Sequence, residues 1–321
     1  MAQYIDLDTG TIHWKDYGGS GPSIVMVHGL GGSLANWDAI GPRLARRARV
    51  VALDLPGFGL SPPAKDWSLE THRDAVADLI RAIGGRAIVI GNSLGGLLSE
   101  MVASAYPELV EALILISPAT PPRLPDPAIH WPMARRLLIG ATPGIGPMVN
   151  RQMVSSMTTR ELVNDLLHRI THKPGRVPLD MVESFIAVAD ARSRLPWAVD
   201  AVPKTGQSIR RHLMRKRRFI EMIRSIKAPT LVVLGVADPV VSPTSVTWLC
   251  SLRLDWELVR MEDTGHTPQI DAPMRFVSVV EPWLETHLSQ EMALTNLGPC
   301  HPTSERRSAT NTSISSPTPT Q

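Results

Sequence analysis

An α/β fold is predicted for this chain: a mostly parallel sheet with helices on both faces and a helical segment inserted into it. Three observations carry that reading. From Ser23 to Ile116 short apolar runs alternate with helical patterns, as parallel strands joined by crossover helices require. The alternation then breaks for about 110 residues and resumes at Thr230. One strand-to-helix junction carries Gly91-Asn92-Ser93-Leu94-Gly95-Gly96, a turn too tight for larger residues at its glycine positions.

The elements follow in order. Gln3–Leu7 and Thr11–Tyr17 flank Asp8-Thr9-Gly10 and read as an opening β-hairpin. Ser23–Val27 is an apolar strand, and a strand ends at Asp54. Leu69–Ile83 places Ala75, Leu79 and Ile83 at helical spacing. Arg86–Ile90 is a buried strand with β-branched residues, and the helix that starts after Ser93 stops before Pro107. Leu113–Ile116 is the next strand. The insertion opens with a proline-rich stretch, 121–127, and contains helical candidates without a clear strand. Pro229–Gly235 and Leu254–Arg260 read as strands, and Met274–Leu288 as the closing helix. These boundaries divide the chain into a core of residues 1–120 and 229–288, a helical insertion of residues 121–228, and a tail of residues 289–321. That tail, residues 289–321, is expected to be disordered, most clearly over 299–321, where Ser, Thr and Pro dominate and there is too little apolar surface to offset chain entropy.

A serine held on a sharp strand-to-helix turn is exposed above the sheet, and the helix N-terminus favours negative charge beside it. Ser93 is therefore the candidate nucleophile, with Gly91 and Gly95 leaving room for the turn. Serine needs a base, and the base needs an orienting acid. His266, in Thr264-Gly265-His266-Thr267-Pro268, follows one predicted strand; Asp238, in Val236-Ala237-Asp238-Pro239, follows another. Both lie beyond strand carboxyl ends, where open parallel sheets place their ligand sites. His28-Gly29-Leu30-Gly31-Gly32 follows the Ser23–Val27 strand, and its glycines let backbone amides approach a substrate oxygen. The oxyanion hole is assigned to the amides of Leu30 and Leu94.

These pieces together resemble the α/β-hydrolase superfamily, in the group that carries a helical cap over the nucleophile. The resemblance rests on His28-Gly29, Asp54-Leu55-Pro56-Gly57-Phe58-Gly59-Leu60-Ser61, the Ser93 elbow, the Asp238 loop and Gly265-His266, spanning about residues 3–288. The chain order Ser93, Asp238, His266 is that of the superfamily's triad. The resemblance implies a serine hydrolase, with carboxylesterase, lipase-like or ring-cleavage-product carbon–carbon hydrolase activity and the 121–228 insertion as cap. Serine rather than aspartate at the elbow argues against the dehalogenases and epoxide hydrolases of the superfamily. Ring-cleavage hydrolases usually carry tryptophan after the catalytic histidine, where Thr267 stands here. A ligand-binding protein on the same fold is the non-enzymatic reading, and it has no need of a general base.

Other residues have simpler readings. His28 resembles a histidine bracing its loop, and Asp54 is expected to shape the turn that follows it. Asp263, three residues before His266, suits a solvent-facing position. His168 and His172 share a helix face, but without H-E-x-x-H or a third ligand they read as surface histidines, and no metal or organic cofactor is expected. Trp37 fits either a position beside the site or the core.

Composition is that of a globular protein: 321 residues, 43% hydrophobic and 20% charged, with a net charge of +3 too small to argue for nucleic acid. The only cysteines, Cys250 and Cys300, cannot form a disulfide framework. No signal peptide or apolar stretch of about 18 residues is seen, so no transmembrane segment is expected and cytoplasmic residence is the default. Met133, Leu137, Leu138, Ile145, Met148, Met153, Met157 and Trp197 make the insertion apolar, either as a substrate pocket or as its own core. The Arg210–Arg218 run puts a basic face opposite Ile209, Leu213, Ile220 and Ile223 on one helix, compatible with contact to anionic lipid or with solvation. The expected partner is a small apolar ester; oligomeric state is left open by the sequence.

Overall fold

The computed structural model of the chain describes residues 2–123, 125–126 and 129–296. Its centre is an eight-stranded sheet of β1 (Ala2–Leu7), β2 (Gly10–Gly18), β3 (Ser23–Val27), β4 (Arg49–Leu53), β5 (Ala87–Asn92), β6 (Val110–Ile116), β7 (Thr230–Gly235) and β8 (Glu257–Met261). The spatial order is β1-β2-β4-β3-β5-β6-β7-β8. β1 and β2 form the hairpin, closing on Leu7 opposite Gly10, and β2 runs antiparallel to β4. All remaining neighbours are parallel.

The helices in chain order are α1 (Gly41–Leu44), α2 (Leu69–Ile83), α3 (Leu94–Ala105), α4 (Trp131–Gly140), α5 (Ile145–Ser156), α6 (Thr159–Ile170), α7 (Leu179–Ser193), α8 (Ala198–Met214), α9 (Lys216–Ser225), α10 (Pro243–Ser251), α11 (Pro268–Asp271) and α12 (Pro273–Asn296). α2 starts where Ser68 accepts the Thr71 amide, and ends at Gly84, whose φ of 148° suits only glycine. Because strand side chains alternate faces, the parallel strands feed two cores. Val25, Val89, Leu113 and Val232 pack towards α2 and α3, whereas Met26, Ile90, Ile114 and Val233 pack towards α1 and α12.

The segment between β6 and β7 is helical, α4 to α9, as expected of the insertion. It rests on the core through a small cluster in which Val163, Leu167, Met181 and Phe185 of α6 and α7 meet Ala35 and Ile270.

Three boundaries differ from the sequence reading. The strand expected from Leu254 begins at Glu257. Arg253 grips both oxygens of Asp255 at 2.8 and 2.6 Å, which closes a turn that keeps Leu254 in solvent. The basic run lies on two helices rather than one, because the backbone leaves the helical region at Arg215 (ψ 55°). α12 continues to Asn296, beyond the Ser289 boundary drawn from composition. Cys300 and the Ser/Thr/Pro-rich stretch lie outside the described residues.

Candidate active site

Ser93 follows β5 directly and precedes the first residue of α3, with φ 55° and ψ −113°. A non-glycine residue in this region carries strain, which its surroundings must hold in place. The Ser93 amide donates to the Ile116 carbonyl at 2.9 Å, and the Ser93 carbonyl accepts from Leu97 and Ala119. The flanking glycines are required by close approach. A Cβ at Gly91 would overlap the Gly95 carbonyl, and one at Gly95 would overlap the Val27 carbonyl. The elbow thus sits tightly against the end of β3.

β3 leads into His28 and Gly29. His28 is fully buried; its Nδ1 donates to the Gly29 carbonyl at 2.7 Å and its Nε2 accepts the Leu55 amide at 3.0 Å. Burial, the largest influence, lowers its pKa and keeps it neutral. Both ring nitrogens are committed to backbone, so His28 is placed to brace the loop rather than to move protons. A Cβ on Gly29 would stand 3.2 Å from the Ser93 Cβ, so this loop passes beside Ser93. The Leu94 amide is at the first helical position, where no carbonyl within the helix can accept it. Leu94 adjoins Ser93 in the chain, and Leu30 follows Gly29 on the loop beside it.

Asp238 and His266 come together from the ends of β7 and β8. His266 Nδ1 lies 2.8 Å from Asp238 Oδ2, with both side chains almost completely buried. The other carboxylate oxygen of Asp238 accepts the Val240 and Val241 amides at 2.7 and 3.0 Å, fixing the acid in its turn. With Nδ1 held by the carboxylate, Nε2 is the nitrogen open to a nucleophile.

Several positioning residues were not read from the sequence. Asn92 Nδ2 donates to the main-chain carbonyls of Ile116 at 3.1 Å and His266 at 3.2 Å, joining the elbow to the histidine loop. Asp271 accepts the Gly265 and His172 amides, both at 2.7 Å, and so ties the histidine loop to the end of α6. Arg192 of α7 donates from Nη1 to the Gly57 and Gly59 carbonyls at 3.0 Å and from Nη2 to the Ala198 carbonyl. A carboxylate a few residues behind the candidate His266 is a local signal that could have found Asp271. The roles of Asn92 and Arg192 depend on contacts 174 and up to 135 residues away, which no local pattern records.

The remaining candidates are elsewhere. Asp54 is buried and accepts from the Leu34 amide, the Leu60 amide and, through its pairing at 2.7 Å, His13. It therefore holds together the turns around the loop. Asp263 is ion-paired with Lys173 and Arg176, which lower its pKa to about 2. His168 bonds the Asn164 carbonyl and His172 pairs with Asp263, so the two histidines do not share a ligand. Trp37 is fully buried among Ile24, Met26 and Ile40.

Over the loop lies α8. A Cβ on Gly31 would touch Val202, and one on Gly206 would touch both Leu30 and Ala141 at ordinary contact distance. Of the apolar insertion residues, Met133 is buried, whereas Leu138, Ile145 and Met148 are about half exposed or more. His72 of α2 meets Thr205 of α8 at 3.2 Å, a further link between insertion and core; burial lowers its pKa to about 4.

A family model described as alpha/beta hydrolase fold matches residues 22–273. The chain is 27% identical over 276 residues, covering 82% of this chain and 95% of the relative, to the pimeloyl-[acyl-carrier protein] methyl ester esterase of Aeromonas hydrophila subsp. hydrophila. It is 28% identical over 278 residues, covering 83% and 88%, to the 2-hydroxymuconate semialdehyde hydrolase of Pseudomonas sp. (strain CF600). Among solved structures, a thermophilic esterase from Thermogutta terrifontis superposes with a TM-score of 0.66 at 21% identity, covering 89% of this chain and 99% of that one. At that identity the likeness concerns the fold.

Proposed function

The chain belongs to the α/β-hydrolase family, and from that premise we propose that it is a serine hydrolase cleaving carboxylic esters of apolar acyl or aryl groups. The observation that carries the reading is the strained Ser93 turn beside a buried Asp238–His266 pair, joined by Asn92. His266 Nε2 takes the Ser93 proton as Oγ attacks the ester carbonyl. The Leu30 and Leu94 amides hold the oxyanion, worth about 10²–10³ in rate for one such donor. Collapse of the tetrahedral intermediate breaks the ester bond, and His266 returns the proton to the leaving alcohol. A water then gives its proton to His266, attacks the acyl-enzyme and releases the acid with Ser93 restored.

An apolar substrate is supported by Val202, Leu30 and Ala141 around the loop. Residues 121–228 act in this reading as a cap that excludes water. The test is a p-nitrophenyl ester series. Each added methylene buried in the site contributes about 0.8 kcal/mol, so kcat/KM is expected to rise about fourfold for each methylene added beyond acetate until the pocket is full. A flat or falling profile with Ser93-dependent turnover would reject the apolar pocket.

Carbon–carbon bond hydrolysis of a ring-cleavage product is the second reading, favoured by Asn92 beside Ser93 and by the named activity of the Pseudomonas relative. Thr267 weighs against it, since its side chain donates to the Ile170 carbonyl at 3.2 Å instead of presenting an aromatic face. A dienoate ring-cleavage substrate assayed beside the esters separates the two.

A further inference from the structure

Charge is divided unequally along this chain. Residues 121–228 hold nineteen Lys and Arg against eight Asp and Glu, a net of +11, although the whole protein is only +3. The rest of the molecule is correspondingly acidic, so an anionic surface is drawn to the insertion and repelled elsewhere.

The insertion also gathers several exposed apolar side chains on one hairpin, while Leu179 and Met214 are exposed elsewhere on it. α4 and α5 form a hairpin around 140–144. Near that turn Leu138 is 60% exposed, Ile145 49% and Met148 66%, with Ile139 and Val149 beside them and Trp131 at the other end of α4. Ala141, at the same turn, faces Gly206 of α8 and shares that contact with Leu30. The apolar tip therefore stands next to the roof over Ser93 while pointing its larger side chains away from it. From Ile129 to Arg160 the sequence has no Asp or Glu, and Arg135 is exposed one helical turn from the tip.

The basic run begins close by. Arg210 is four residues along α8 from Gly206, about 6 Å at the helical rise. Arg211, Arg215, Arg217 and Arg218 are exposed where α8 gives way to α9. Exposed apolar side chains and a basic run on one helical insertion are the two features with which surface helices bind anionic lipid. Among the described residues no helix is long and apolar enough to cross a membrane, so a helical contact would lie on its surface.

We propose that the α4–α5 hairpin docks this protein on an anionic lipid surface, with Leu138, Ile145 and Met148 entering the acyl layer and the basic run at the α8–α9 junction meeting the headgroups. A second copy docked insertion to insertion is a poorer occupant, because two insertions of net +11 repel.

Co-sedimentation of the full chain with vesicles tests this, using phosphatidylcholine alone and an equal mixture with phosphatidylglycerol. Binding is expected to the mixed vesicles, weaker at high salt and much weaker to phosphatidylcholine alone. Leu138→Glu/Ile145→Glu and Arg211→Glu/Arg218→Glu are each expected to weaken partition by about tenfold or more. Turnover of p-nitrophenyl acetate and the melting temperature report whether each variant is folded; Leu138→Ser/Met148→Ser replaces the first pair if it is not. Ser93→Ala is expected to bind as the parent does, so loss of hydrolysis and loss of docking read independently. The proposal is overturned if the parent ignores both vesicles, if it binds them equally, or if the tip variant binds undiminished. It is also overturned if the parent is a dimer in solution that the tip variant renders monomeric without any vesicle binding.

Discussion

Asn92 and His266 are joined across the top of the sheet: the Asn92 amide nitrogen donates to the His266 carbonyl at 3.2 Å. The residue before Ser93 thereby sets the height of the loop that carries His266. The same nitrogen reaches the Ile116 carbonyl, so the elbow, the end of β6 and the histidine loop form one unit.

Asn92→Ala is expected to lower kcat about tenfold or more with little change in KM, because a small displacement of the base costs catalysis rather than binding. Steady-state kinetics on p-nitrophenyl butyrate check this. An unchanged kcat would show that the His266 loop keeps its place without Asn92, held by Asp271 and by the Thr267–Ile170 contact.

In the proposed mechanism Ser93, Asp238 and His266 act as a unit. Ser93→Ala and His266→Ala are each expected to cut ester turnover by about 10⁴–10⁶, and Asp238→Ala somewhat less. All three variants are expected to stay folded. If His28→Ala or Asp54→Ala abolishes turnover in a folded protein while His266→Ala does not, the assignment fails.

Glu100 lies on α3, fully buried, and neither carboxylate oxygen has a hydrogen-bond partner among the described residues. Burial raises its pKa well above the ordinary 4.5. The folded state therefore keeps a proton that the unfolded chain gives up, and the contribution to stability declines as pH rises above about 4.5 until the folded group itself ionises. Glu100→Gln is expected to flatten that decline, and Glu100→Met to raise stability at neutral pH by about 1–3 kcal/mol. Melting temperature from pH 4 to pH 9 gives the comparison. Parallel curves for the parent and the Glu100→Gln variant would mean that Glu100 is ionised in the fold.

Arg192 is the latch between α7 and the Gly57–Gly59 turn. Its removal leaves three carbonyl contacts unmade, at a cost of about 1–3 kcal/mol. Arg192→Met is expected to lower the melting temperature and raise KM by loosening the insertion above the site. Lysine lacks the planar fork that spans two carbonyls, so Arg192→Lys is expected to restore only part of the loss. Equal KM for all three proteins would limit Arg192 to stability.

Much of this was open to reading in the sequence. Helix Leu69–Ile83 has the bounds its spacing predicts, and the opening hairpin and the parallel strands sit where apolar runs place them. Gly91, Ser93 and Gly95 belong to one turn, so their relation is local. The strand from Leu254 and the single helix through Arg215 were misread, because a side-chain fork at Arg253 and a backbone break interrupt patterns that look continuous as letters.

Local geometry is written in neighbours: period, caps and glycine positions determined the alternating sheet, the elbow and the existence of a helical insertion. The encounter of His266 with Asp238, the bond from Asn92 and the grip of Arg192 on Gly57 were decided only in three dimensions. Each joins segments separated by 28 to 174 residues. The same is true of the apolar side chains of α4 and α5. Sequence showed them to be hydrophobic, but only packing decided that Met133 is covered while Leu138, Ile145 and Met148 face outward. Burial depends on which other surfaces arrive, and that is a property of the whole folded chain.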